Sequence, residues 1–175
     1  MNSYKHPLFV LITEEHLEIK KMAHDLTSDI ELKSKLLEKL RAHHNMEEKA
    51  LFSQLAKHPQ ICEGGPMCTY FFDAQITSPP ILQAESITGT PLTVPSELSE
   101  LWNNQSPLKI PAGEHLALQH ILNFSSSETL AKNLNLFIQL MESNFQKEEE
   151  CLFHVCSRLL EEGELDKIYG IWTKH

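Results

Sequence analysis

A ten-residue run of this chain is echoed about a hundred residues later. His43-His44-Asn45-Met46-Glu47-Glu48-Lys49-Ala50-Leu51-Phe52 returns as Asn144-Phe145-Gln146-Lys147-Glu148-Glu149-Glu150-Cys151-Leu152-Phe153, and a Glu-His pair precedes each copy by 27 to 29 residues, Glu15-His16 and Glu114-His115. The echo matters because of where its polar residues fall. They sit on helical stripes that are otherwise apolar, so a chain that buries those stripes must also bury imidazoles and carboxylates. Any fold must then supply something that neutralises them.

Four segments carry the 3.6-residue period of an amphipathic helix. Residues 8–27 align Leu8, Ile12, His16, Ile19, Ala23 and Leu26; residues 29–57 align Leu32, Leu36, Leu40, His43, Glu47, Ala50 and Gln54, beside a second row of Leu37, Leu51 and Leu55. Thr27 or Ser28 is a fitting N-cap for the second segment. Residues 112–124 align His115, Leu118 and Leu122, and residues 127–161 align Leu130, Leu134, Phe137, Met141, Asn144, Glu148, Cys151, Val155 and Leu159. Ser127 is a candidate cap and Gly163 a candidate stop for the fourth. Two helical hairpins of the same plan predict an all-α chain, an up-down-up-down four-helix bundle forming a single domain over 1–175.

Between the second and third helices, residues 58–111 differ in character. They hold eight of the nine prolines, with Gly64-Gly65-Pro66 and Pro79-Pro80 as helix breakers. They also hold Tyr70-Phe71-Phe72, Ile81-Leu82 and Leu98 to Trp102, more large apolar groups than a flexible linker carries. The expectation is a long ordered insert that packs on the bundle, with a short helix near 96–104. A tail from Leu165 to His175, with Ile168, Tyr169, Ile171 and Trp172, is expected to close one end as a further short helix.

On the four stripes, His16, His43, Glu47, His115, Asn144 and Glu148 replace apolar residues. Positions four apart on a helix stack on one face, so His43 with Glu47 converge on one point, as do Asn144 with Glu148. Left without a neutralising partner, such buried charges cost about several kcal/mol each. A bound cation removes that cost by turning the same groups into its coordination shell. Imidazole with carboxylate and no thiolate suits iron, manganese or zinc better than copper(I) or an iron–sulfur cluster.

The balance of 24 acidic against 15 basic residues, a formal charge of −9, argues against nucleic acid as a partner. The N-terminal apolar run is too short for a signal peptide and no stretch approaches the length of a membrane span. A cytoplasmic protein with no membrane association is expected. Cysteines at 62, 68, 151 and 156 lack the two-residue gap of common zinc knuckles and are read as reduced thiols.

At these residues the chain resembles the hemerythrin-like (HHE cation-binding) family, over 8–57 and 112–161. The resemblance implies a four-helix bundle with a non-haem di-iron centre of His terminal ligands and bridging carboxylates. Its implied metal ligands are His16 from the first helix, His43 and Glu47 from the second, His115 from the third and Glu148 from the fourth. Two positions depart from the pattern: Asn144 stands where a fourth-helix His is expected, and Gln119 where oxygen carriers have a second third-helix His. Reversible oxygen carriage is thereby put in doubt. A mononuclear site, another divalent metal or a di-metal site with an open position all remain. Among other residues, His44 is the best reserve ligand. His24, His120 and His154 are read as surface groups, Cys151 as a small core residue and Tyr70 as a packed aromatic.

The function implied is iron binding for sensing or scavenging of oxygen, nitric oxide or peroxide, or for iron handling. Two alternatives stand beside it: a di-metal oxidase or peroxidase, and a bundle whose metal site has lapsed, leaving an interaction role.

Overall fold

The computed structural model describes residues 6–26, 30–58, 61, 80–98 and 106–174, and among these the chain is helical with no strand. Helix α1 spans Pro7–Asp25, with Pro7 at its first turn and the His6 ring accepting from the Leu8 amide at 3.2 Å. Helix α2 spans Ile30–Met46 and runs on through a π turn, Glu47–Phe52, to a last turn at Ser53–Leu55. Helix α3 is Pro80–Thr88 and α4 is Lys109–Phe124. Helix α5 spans Ser127–Lys147, passes a π turn at Glu148–Leu152 and ends with Phe153–Leu159; α6 is Glu162–Trp172.

Helix α1 packs on α2 and α5, and α4 packs on α2 and α5, so each of the four long helices has two of the others as neighbours. Their apolar residues form two separate clusters. One gathers Leu8 and Ile12 of α1, Leu51 and Leu55 of α2, Ala112 of α4, Leu152 and Cys156 of α5, and Trp172 of α6. The other gathers Ile19 and Ala23, Leu36 and Leu40, Leu118 and Leu122, and Phe137, Met141 and Phe145. Along the chain, α1 and α4 run from the first cluster to the second, whereas α2 and α5 run back. In every one of the four the polar positions fall at the crossing, and His16, His43, Glu47, His115, Asn144 and Glu148 are each at most 2% exposed. The molecule thus carries a wet-chemistry layer between two dry ones.

Several sequence expectations shift in detail. The π turns each insert an extra residue into the helical spiral. In α2 this moves the buried stripe by one place after Glu47: Leu51 and Leu55 are fully buried while Gln54 is only half-buried. The cap of α5 is Ser126, whose hydroxyl accepts from the Thr129 amide at 3.1 Å, rather than Ser127. That helix ends at Leu159, where Leu160 turns extended, and Gly163 lies inside α6 rather than terminating α5.

From the insert, α3 packs against α4 and α5, and Ser96–Leu98 is one 3-10 turn. Thr27 and Ser28, the glycine–proline turn, Cys62, Cys68, Tyr70 to Phe72 and Trp102 lie outside the described residues. Among the described residues no helix is long and apolar enough to cross a membrane.

Candidate metal centre

The five ligands expected from the sequence meet at one place. His16 Nε2 lies 3.0 Å from His43 Nε2 and 3.2 Å from Glu148 Oε2, and His43 Nε2 is 3.6 Å from Glu47 Oε2. These four residues bring one ligand atom each within 4.8 Å of one another. His115 approaches the same two carboxylates from the other side, its Nε2 3.0 Å from Glu148 Oε1 and 3.3 Å from Glu47 Oε2. Glu47 and Glu148 therefore stand between a pair of imidazoles and a single one.

Around this group runs a ring of outer carboxylates, each from a neighbouring helix. His16 Nδ1 bonds Glu149 at 2.8 Å, His43 Nδ1 bonds Glu15 at 2.8 Å and His115 Nδ1 bonds Glu48 at 2.9 Å. An acceptor at Nδ1 fixes the ring's rotation and turns Nε2 inward with raised basicity, the support that metal-ligating histidines require. Glu15 is itself steadied by Trp172, whose Nε1–H donates to it at 3.0 Å. The fourth arm keeps the plan with different chemistry. Asn144 Nδ2 donates to Glu114 Oε2 at 3.2 Å and to Glu148 Oε1 at 2.9 Å, and the Lys147 ammonium donates to the other Glu114 oxygen. Glu114, Asn144 and Lys147 are all at most 4% exposed.

Aromatic walls close the layer. Phe145 stacks on His16 with ring centres 4.0 Å apart, Phe52 lies along His115, and the Trp172 ring stands 6.0 Å from His43.

The electrostatics follow from burial and these contacts. Burial works against charge on His16 and His115. The carboxylates of Glu148 and Glu149 outweigh it at His16, raising its pKa to about 9, and Glu148 and Glu48 raise His115 to about 10. Burial and the neighbouring Glu148 charge push Glu47 well above the usual carboxylate range. Glu148 goes the other way: burial opposes its charge, but the two imidazolium groups hold it below that range. Burial also lowers His43, which stays neutral and accepts from His16. The raised values favour positive charge on both rings, which offsets part of the buried carboxylate charge.

The offset by protons is incomplete. Both Glu47 oxygens, Glu148 Oε2, Asn144 Oδ1 and His44 Nε2 are buried and make no hydrogen bond among the described residues. An unsatisfied buried polar atom costs about 1–3 kcal/mol. A cation resolves several of these at once, so the residues present fit a metal.

Other candidates fall elsewhere. His44 is fully buried, but its Nδ1 meets Gln119 at 2.9 Å, and its ring stacks on His115 at 3.8 Å. His24 faces solvent beside Glu142. His120 is not the surface group expected: it is 7% exposed and bonds Thr88 and the Thr90 carbonyl, pinning the end of α3 to α4. His154 is half-buried on α5. Cys151 and Cys156 are buried thiols in the first apolar cluster.

Sequence reasoning singled out no role for Glu149 or Lys147, set Glu48 beside His44 rather than His115, and gave neither Glu15 nor Trp172 a part in the centre. A signal was present in the repeated doublets Glu47-Glu48 and Glu148-Glu149, whose second members point about 100° around the helix, toward the neighbour.

Fold and site together define an all-helical protein with a buried His/Glu group able to hold a metal ion. No family model, curated protein or solved structure matches this chain.

Proposed function

We propose that this is a non-haem iron protein of hemerythrin-like type: an up-down-up-down four-helix bundle that meets oxygen, nitric oxide or peroxide at a buried iron centre. One observation carries the reading. Three imidazoles from three helices turn Nε2 inward, each held at Nδ1 by a carboxylate from another helix, around two buried carboxylates of which both Glu47 oxygens and Glu148 Oε2 accept no hydrogen bond among the described residues.

Oriented nitrogen and oxygen donors, with no cysteine in the group among the described residues, favour iron, manganese or zinc, and the resemblance to the family selects iron among them. Reduced iron with an open position supplies the capacity to bind a small diatomic molecule. The chain's own residues do the rest. His43, and His16 and His115 once their extra protons leave, would provide neutral nitrogen ligands, and Glu47 and Glu148 would hold two adjoining cation positions between them. Phe52, Phe145 and Trp172 exclude bulk water. Gln119, which offers no imidazole, would leave a coordination position that an external ligand can take.

A groove of about 570 Å³ favours a second reading as a di-metal oxidase or peroxidase, because its wall includes Glu48 and Gln119, the partners of His115 and His44. Steady turnover of a reductant with oxygen or peroxide would select this reading over simple binding.

The decisive experiment is metal analysis with an absorption spectrum of protein purified from iron-supplied cells, before and after reduction and exposure to nitric oxide. Stoichiometric iron and a new charge-transfer band on adding nitric oxide are expected. Protein that takes up no iron, whether purified or reconstituted without oxygen, would refute the reading and leave a lapsed bundle in its place.

A further inference from the structure

The fourth arm of the carboxylate ring departs from the other three in a directed way. Where three imidazoles give a proton to an outer carboxylate and turn a nitrogen inward, Asn144 gives its amide hydrogens to Glu114 and Glu148. Reversing the amide would set its oxygen against two carboxylates, so its orientation is chosen by charge. The oxygen, Oδ1, is buried and accepts no hydrogen bond among the described residues, and the side chain is 0% exposed. The amide rests on Glu148 Oε1, the oxygen that His115 Nε2 approaches at 3.0 Å, which places it at the His115 side of the shared carboxylates. Lys147, paired with Glu114 in the same buried corner, supplies the positive charge an imidazolium would have brought. A neutral amide can therefore occupy the arm without leaving Glu114 uncompensated.

We propose that Asn144 is itself a metal ligand, through Oδ1, and that it makes the two cation positions chemically unequal. The inference rests on the metal-centre reading given above. One position offers two nitrogens and two carboxylates, from His16, His43, Glu47 and Glu148. The other offers one nitrogen, from His115, with three oxygen donors from Glu47, Glu148 and Asn144. Nitrogen-rich sets follow the usual rise in affinity across the divalent series, whereas oxygen-rich sets accept hard ions such as manganous ion with less discrimination. The first position fills first and retains its ion. The second takes a hard divalent cation more weakly and exchanges it, and Glu114 and Lys147 are positioning residues that keep the amide turned.

The test is titration of the metal-free protein with manganous ion, free ion being read by electron paramagnetic resonance, and in parallel with cobaltous ion, read by absorption. Wild-type protein is expected to bind two equivalents, the second about tenfold or more weaker than the first. Asn144→Ala should abolish the second step and spare the first, and His16→Ala should do the reverse. Asn144→His, which keeps a ligand there, should strengthen the second step for cobalt far more than for manganese. Two steps of wild-type affinity in Asn144→Ala, loss of the second step in His44→Ala instead, or a single equivalent in wild type would overturn the proposal while leaving a metal protein. No cation bound by wild type would overturn the underlying reading as well.

Discussion

Glu149→Gln is the sharpest probe of the ring of outer carboxylates, because it removes one charge and almost no volume. Glu149 Oε1 lies 2.8 Å from His16 Nδ1. A hydrogen bond to a charged group is worth about 1.5–3 kcal/mol, and losing the carboxylate behind a metal-bound imidazole costs about 10–100-fold in affinity. The two figures agree, since each tenfold is about 1.4 kcal/mol. The Glu149 side chain is 31% exposed, so water compensates part of the loss and the lower end, about tenfold, is expected. In metal-free protein the same change should lower the His16 pKa from about 9 toward its ordinary value, because one of the two carboxylates that outweigh burial is gone. Chelator competition measures the first effect and imidazole resonances across pH the second. Glu150→Gln is the control: Glu150 is exposed and accepts from Gln146 at 3.0 Å. Wild-type metal affinity together with an unmoved His16 titration in Glu149→Gln would refute the argument that the outer carboxylates orient and charge the inner imidazoles.

Glu47→Gln should abolish the rise in melting temperature on adding metal yet leave metal-free protein about as stable as wild type, because its oxygens accept no hydrogen bond among the described residues and burial beside Glu148 opposes its charge; a large loss in the metal-free state would show that its 3.3 Å approach to His115 already stabilises the protein. Metal binding at neutral pH should release protons from His16 and His115, countable by pH-stat, with affinity gaining about tenfold per pH unit for each proton displaced. Metal-free protein should move oppositely: pKa values raised to about 9 and about 10 add stability that is fully present below pH 6.5 and is lost as pH rises through those values, seen as a falling melting temperature. Trp172→Phe keeps the aromatic wall but removes the bond to Glu15, and should cost about 1–2 kcal/mol and weaken metal retention several-fold, by thermal melts and chelator competition.

Much of the centre is readable from residue spacing, because its information is local. His43 with Glu47, and Asn144 with Glu148, converge through nothing more than one helical turn. His16 and His115 declare themselves by interrupting apolar stripes whose other members, Ile12, Ile19 and Leu118, are buried. The helical segments were legible for the same reason. Their ends were less so: Ser126 takes the cap in place of Ser127, since adjacent serines offer the same hydroxyl and only the chain's path selects between them. The π turns at Glu47–Phe52 and Glu148–Leu152 left no periodic trace strong enough to displace Gln54 from the expected inner stripe.

The residue types of the His/Glu group and their spacing were decided by the chain alone, since backbone geometry carries residues four apart to one face whatever surrounds them. Which carboxylate serves which imidazole was not. Glu15 adjoins His16 in sequence yet serves His43, and Glu149 crosses from another helix to serve His16. Those pairings depend on how each helix is rotated and set against its neighbour, a quantity that packing of the two apolar clusters determines. The same packing buried His44 and His120, which spacing had left beside or outside the centre, and turned the amide of Asn144 toward two carboxylates.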